Sequence, residues 1–305
     1  MKFGKLADIS KVNFQLPQDP SGTKTLLQSL AHNDEIPTTY IGCTGWSMKE
    51  WIGKVYPKGS QAKDFLKYYT AQFNTIELNT THYRIPSDDT IAVWKRESSP
   101  DFRFCPKVPQ IISHSKDLGY ASGNVLAFCN SIQQLKEKLG CCFLQLPPYF
   151  GNNKIGLLEH FIKNFPKHIP LAIELRHESW FNDVKSFEEV FSLFEIYNIS
   201  TVITDVAGRR DVLHQRLTTN TVLIRFVGNN LHATDYERVD SWVARIKTWF
   251  EDGLTKVYFF THEPDNLLAP ELAFYLYEQI KTTCKVETRG PDLNLYKGGD
   301  QISLF

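Results

Sequence analysis

The chain has 305 residues, 42% of them hydrophobic and 22% charged, which supplies a sizeable core and the ordinary charge of a globular protein. Lysine plus arginine equals aspartate plus glutamate at 34 each, so no broad electrostatic grip on nucleic acid or an anionic membrane is expected, although a local basic cleft stays open. No apolar run approaches the roughly 18 residues of a membrane span, Met1 to Pro20 shows no secretory apolar core, and the six cysteines form no C-x-x-C, so a cytoplasmic protein with buried reduced thiols is expected and a zinc ribbon is not available.

Residues 1–38 scatter Pro, Asp, Ser and Gly around one weak helical patch, Thr25 to Ala31, and read as an N-terminal extension packed on the main domain. From Tyr40 onward, short apolar strands alternate with amphipathic helical stretches, the pattern of βαβ units and a parallel sheet. Eight strands are predicted in order: Tyr40–Thr44, Thr75–Thr81, Phe102–Lys107, Cys141–Leu146, Leu171–Arg176, Thr201–Asp205, Val222–Val227 and Lys256–Thr261. Helical periodicity falls at Asp64–Phe73, Asp88–Glu97, Leu157–Phe165, Phe187–Tyr197, Tyr236–Phe250 and Glu271–Ile280. Asp235 precedes the fifth of these as a cap, Gly253 follows it as a stop, and Pro270 opens the sixth. Residues 207–220 are polar and Arg-rich, with little apolar periodicity, and predict a long loop or a short helix. The result is an α/β protein, a single (β/α)8 TIM-type barrel over 39–285 with a C-terminal tail at 286–305. Eight strands with crossovers fit a closed barrel better than an open doubly wound sheet, and no G-x-G-x-x-G follows the first strand.

Strand side chains alternate faces, and the outer face of a barrel strand meets apolar helices. In the second strand Ile76 and Leu78 belong outside, which turns Glu77, Asn79 and Thr81 toward the axis. In the fifth, Ile173 and Leu175 go out and Glu174 and Arg176 go in. The same rule nominates Lys107, Gln145, Asp205 and Arg225. Most sit near the C-terminal end of their strand, where barrel enzymes keep their chemistry. Three carboxylates (Glu77, Glu174, Asp205) and three cations (Lys107, Arg176, Arg225) are therefore expected in one cavity, and buried charges persist only when paired. Such a set either plugs the barrel or forms a pocket for a polar metabolite. In the second case Arg176 and Arg225 clamp a carboxylate or phosphate, Glu77 or Glu174 is the acid or base, and Lys107 tunes their pKa values.

The strand-end loops carry aromatics and histidines. Trp46, Tyr83 and Trp180 are candidates for a floor on which a sugar or base stacks, or are mere caps of the mouth. His177 joins them as a candidate ligand contact. Glu77, His82, His114, Glu174, His177, Asp205 and His262 are the residues a two-metal hydrolase would draw on. Alternation, however, sets His177 opposite Glu174 and His82 opposite Glu77, and no H-x-H or H-E-x-x-H spacing occurs. No cofactor is expected, with a divalent metal as the minority alternative. No G-x-S-x-G supports a serine triad.

The segments IGCTGWS at 41–47, FNTIELNTTHYRIPS at 73–87, FRFCPKVP at 102–109, FLQLPPYF at 143–150, AIELRHESW at 172–180 and D-x-A-G-R at 205–209 together resemble the YecE-like family, a domain of unknown function. The resemblance spans roughly residues 40–282 and implies a TIM barrel. It carries no established reaction. By fold, that family has been likened to the xylose isomerase and endonuclease IV barrels, which is analogy alone. The chain departs from the family pattern in the eighth loop, Thr261 to Asn266, and at Met48.

The last residues, Gln301-Ile302-Ser303-Leu304-Phe305, resemble the peptide by which many bacterial proteins hook onto the replication sliding clamp. There Leu304 and Phe305 would fill an apolar pocket and Gln301 would bond at its rim. The alternative is that they fold back on the chain's own surface.

Three expectations stand side by side. The first is an enzyme or binder for a small anionic or sugar-like ligand, its reaction class open between hydrolase and isomerase. The second is a barrel that binds or processes nucleic acid, recruited to the clamp by its tail. The third is a non-catalytic interaction module. No membrane partner is expected.

Overall fold

A computed structural model of the chain describes residues 4–31 and 35–296. After α1 (Ser21–Leu30), strands and helices alternate as the sequence predicts. The strands are β1 (Thr38–Gly42), β2 (Thr75–Leu78), β3 (Arg103–Pro106), β4 (Cys142–Gln145), β5 (Leu171–Glu174), β6 (Ser200–Asp205), β7 (Thr221–Val227), β8 (Lys256–His262) and β9 (Glu287–Arg289). The further helices are α2 (Phe65–Gln72), α3 (Thr80–Tyr83), α4 (Asp88–Glu97), α5 (Gln110–Ser113), α6 (Asn124–Ile132), α7 (Ile155–Asn164), α8 (Val184–Ile196), α9 (Ala233–Glu251) and α10 (Ala269–Thr283).

All pairings between these strands are parallel. One continuous sheet runs β4-β5-β6-β7-β8-β1-β9, and β2-β3 forms a second. Few backbone bonds cross the two seams, Gly140 N–H to the Phe104 carbonyl at 2.8 Å among them. Glu77 N–H donates to the Cys43 carbonyl at 3.0 Å, and Val108 N–H donates to the Phe143 carbonyl at 2.9 Å. At the first seam Asn74 replaces a missing stretch of ladder. Its side-chain oxygen accepts the Ile41 N–H at 2.7 Å and its amide donates to the Thr39 carbonyl at 3.0 Å. Gly42 faces the same seam, where any Cβ would lie 2.2 Å from the Thr75 carbonyl oxygen. β9 lies beyond residue 285, where the barrel was expected to end, and pairs with the first half of β1.

Helix starts follow capping physics. Ser87 and Asp183 accept backbone N–H groups at the openings of α4 and α8. α9 opens earlier than expected, at Ala233. His232 is its cap, and Asp235 closes a capping box from the third position. The polar stretch at 207–220 holds one short turn, Arg210 to Val212, and then runs buried. Its backbone is satisfied by side chains of neighbours: Thr23 of α1 bonds the Gln215 carbonyl and the Leu217 N–H. That contact ties the N-terminal extension to the main α/β body, as do Arg245 to Asp19 and the Phe14 ring over Arg238.

Inside the sheet, Cys105, Phe143, Ala172, Val202, Leu223 and Phe260 pack as a middle layer. Their parity fixes the layer above. Two residues on along each strand stand Lys107, Gln145, Glu174, Thr204, Arg225 and His262. Cys43, Cys105, Cys129, Cys141 and Cys142 are buried free thiols. Among the described residues no helix is long and apolar enough to cross a membrane.

Candidate functional site

The upper layer is a connected network. Arg225, from β7, takes Glu77 of β2 in a two-pronged contact, Nε to Oε2 at 2.8 Å and Nη2 to Oε1 at 3.0 Å. Its Nη1 donates to Glu174 Oε2 at 2.9 Å. Arg176 Nε lies 3.1 Å from the other oxygen of Glu174. Gln145 donates to Glu174 Oε2 at 2.6 Å and accepts from Lys107 Nζ at 2.9 Å. Asn79 donates to Glu77 Oε1 at 2.9 Å, and His262 Nε2 meets Glu77 Oε2 at 2.9 Å. Glu77 is fully buried and Glu174 nearly so. Each charge is thereby paired or hydrogen-bonded, the condition under which a protein interior holds ions.

The electrostatics follow from this pairing. Burial pushes the Glu77 carboxyl up, but Arg225 and His262 outweigh it and hold it well below the usual range. Glu174 is depressed in the same way, with burial opposed by Arg225 and Arg176. Burial and the neighbouring Arg225 bring the Lys107 ammonium down to about 8. Burial also lowers Arg176, to about 10, and His262. Among these side chains three cations, Arg225, Arg176 and Lys107, face two carboxylates, which leaves one positive charge in excess.

A cavity of about 240 Å³ opens above the network, lined by Lys5, Arg176, Thr204, Arg225, His262 and Glu263 among others. Lys5 Nζ donates to the Pro264 carbonyl at 2.8 Å, so the N-terminal segment borders this mouth. Glu263 accepts the Asn230 N–H at 2.7 Å through one oxygen, while the other is buried without a hydrogen-bond partner. Burial raises its carboxyl to about 7. A larger cavity, about 620 Å³, lies at the opposite end of the strands, walled by Tyr40, Arg103, Cys141, Ser200 and Tyr258. Size does not decide between them. Of the two, only the smaller, at the C-terminal strand ends, meets the ionised network.

Several expected residues lie elsewhere. Asp205 does not face the axis. It points outward to α9, where Arg238 and Trp242 hold it together with Arg210. Thr204 takes the inward place instead. Trp180 is fully buried and donates to the Phe150 carbonyl at 2.8 Å, so it is core and no part of a stacking floor. Trp46 leans edge-on against Trp94 of α4, on the outer layer. Of the three aromatics only Tyr83 is open, at 74% exposure. His177 accepts the Ser179 N–H and caps a local turn, away from the network. β2 ends at Leu78, so Thr81 sits in α3, where its hydroxyl bonds the Leu78 and Lys107 carbonyls. Conversely His262, considered only as a metal ligand, joins the network directly. Extending the eighth strand by one residue gives it the parity of Tyr258 and Phe260. Among the described residues no group of three or more His, Cys, Asp and Glu is placed to hold a metal ion. Gln301, Leu304 and Phe305 lie outside the described residues.

Comparison with known proteins bears on the family. The UPF0759 protein YecE of Escherichia coli K12 is 29% identical over 262 residues, covering 80% of this chain and 93% of that protein. The UPF0759 protein YunF of Bacillus subtilis 168 is 26% identical over 202 residues, 63% of this chain and 70% of that protein. Two solved structures share the fold. A DUF72 family protein from Enterococcus faecalis V583 superposes with a TM-score of 0.63 at 21% identity, over 84% of this chain and all of that one. A DUF72 family protein from Thermotoga maritima MSB8 gives 0.59 at 25% identity, over 80% and 98%. The model of the family described as "Protein of unknown function DUF72" matches residues 40–293, and the chain belongs to that family.

Proposed function

We propose that this protein binds a small anionic metabolite, a phosphate or carboxylate, at the C-terminal ends of its strands. The observation that carries the reading is the excess cation beside the cavity. Arg225 contacts both Glu77 and Glu174, while Arg176 and Lys107 reach only Glu174, directly or through Gln145, so three cations share two carboxylates. An incoming anion completes that balance without breaking the Glu77–Arg225 fork. The planar guanidinium of Arg176 suits a two-oxygen ligand. With Glu263 near neutrality and His262 beside Glu77, the same mouth also offers groups that exchange protons.

The test is thermal melting with orthophosphate and with small carboxylic acids. A binding anion at about a hundred times its dissociation constant adds roughly 2.7 kcal/mol of stability. The Arg176→Gln variant is expected to lose that rise. An equal rise in the variant, or no rise with any anion, overturns the assignment.

A further inference from the structure

We propose that Lys107 is the amine nucleophile of this site, forming an imine with the aldehyde or keto group of a small acid. The inference rests on the anion-binding reading above and adds a reaction to it. Its basis is the way Lys107 differs from the other cations. Arg225 and Arg176 each contact a carboxylate directly. Lys107 makes no ion pair among the described residues; its Nζ meets Gln145 Oε1 at 2.9 Å. Gln145 is turned with its amide nitrogen to Glu174, so a neutral amide stands between amine and carboxylate. The stem is nearly buried, at 7% exposure, and the ammonium lies over the Phe143 ring. A lysine desolvated beside other cations and denied a carboxylate is the arrangement that frees an amine lone pair.

Two imidazoles stand beside it. His82 and His114 have ring centroids 5.8 Å apart, and the Lys107 charge helps hold both below their ordinary pKa. His82 Nδ1 donates to the Val108 carbonyl at 3.2 Å, which leaves Nε2 unprotonated. In the reaction the Nζ lone pair attacks the carbonyl carbon, a C–N bond forms and the C=O π pair moves to oxygen. The nitrogen gives up its two protons, the first to a base such as His82 Nε2, and both end on that oxygen. The C–O bond then breaks, water leaves, and C=N remains. Amine and carbonyl become imine and water, with no oxidant or reductant.

The full chain is incubated with pyruvate, or with acetone as a carbonyl lacking an acid group, together with sodium cyanoborohydride, and the adduct is mapped by peptide mass spectrometry. A depression of more than two pKa units below an ordinary lysine gives about a hundredfold more free amine at neutral pH. Lys107 is therefore expected to be labelled about tenfold or more faster than any other lysine, with a rate that levels off above about pH 8. Lys107→Arg, checked for an unchanged melting curve, is expected to lose the adduct. Labelling spread evenly over surface lysines, with both probes, overturns the proposal while leaving anion binding intact. Selective labelling that is no faster with pyruvate than with acetone, and is not slowed by orthophosphate, upholds the nucleophile and overturns the anion reading.

Discussion

Arg225 grips Glu77 with two nitrogens and turns its third to Glu174, so one guanidinium bridges two buried carboxylates from strands of the two different sheets. Removing it leaves Glu77 with only His262 and Asn79, and Glu174 with only Arg176 and Gln145, among the partners named above. Arg225→Leu is expected to cost about 3–5 kcal/mol, the range for breaking a buried pair from one side. The double variant with Glu77→Gln should recover part of that loss, because one orphaned charge is gone. Urea unfolding at neutral pH measures both. A single-variant loss below about 1 kcal/mol would show that water already reaches these carboxylates.

Asp205 separates structure from site. Its carboxylate is held by Arg238, Arg210 and Trp242 on the outer face, and burial is outweighed by the two arginines, which keep it ionised. Asp205→Asn is expected to destabilise the fold by about 3–5 kcal/mol, since Arg238 is left buried and under-paired. The anion-induced rise in melting temperature should survive. Loss of that rise in a still-folded variant would return Asp205 to the site.

This contrast shows what the sequence made legible. Where a polar residue sits between two apolar ones, as Glu77 between Ile76 and Leu78, the period of two assigns its face unambiguously. Glu174 between Ile173 and Leu175 reads the same way, and both land in the network. β6 offers no such frame. Val202 and Ile203 are adjacent and both apolar, Thr204 and Asp205 adjacent and both polar, so either parity fits. The deciding partners, Arg238 and Trp242, arrive from α9 more than thirty residues later. Trp180 misled for a related reason. Its strand-end position looked like a mouth, but its indole N–H is claimed by Phe150, a contact no local pattern reveals. His262 was missed by a one-residue strand boundary. α6, which follows Gly123, has no counterpart among the helices that the periodicity predicts.

The C-terminal Gln301-Ile302-Ser303-Leu304-Phe305 carries a separate proposal, docking on a bacterial sliding clamp. Leu304 and Phe305 are its expected anchors, and such aromatic and aliphatic anchors carry most of the energy of a short peptide. Purified clamp is expected to bind the full chain, and Leu304→Ala with Phe305→Ala is expected to weaken that binding about tenfold or more. Equal binding by the variant, or none by the full chain, removes the proposal.

The pH profile of stability tests the buried titratable groups together. His214 lies among Phe181 and Phe191, with ring centroids at 5.5 and 5.1 Å, and its Nδ1 accepts the Arg216 N–H. Burial drives its pKa down to about 3, and burial with the nearby Lys107 drives His82 to about 4. Both lie below the unfolded value of about 6.5. As pH falls, the unfolded chain takes these protons first, so the stability they give is lost from about pH 6.5 downward. Glu263 works in the opposite sense. Its folded pKa of about 7 exceeds the unfolded one, so the folded chain keeps its proton longer and stability falls as pH rises from about 4.3 toward 7. Between about pH 5 and 6.5 His214 and His82, joined by His114 and His262, which are also lowered, oppose one carboxyl, so net stability should rise with pH. Urea unfolding across that window checks the sign. Glu263→Gln should steepen the slope by about one proton, and His214→Asn should flatten it by the same amount. A wild-type slope of zero that neither substitution moves would mean that these groups titrate alike in the folded and unfolded chain.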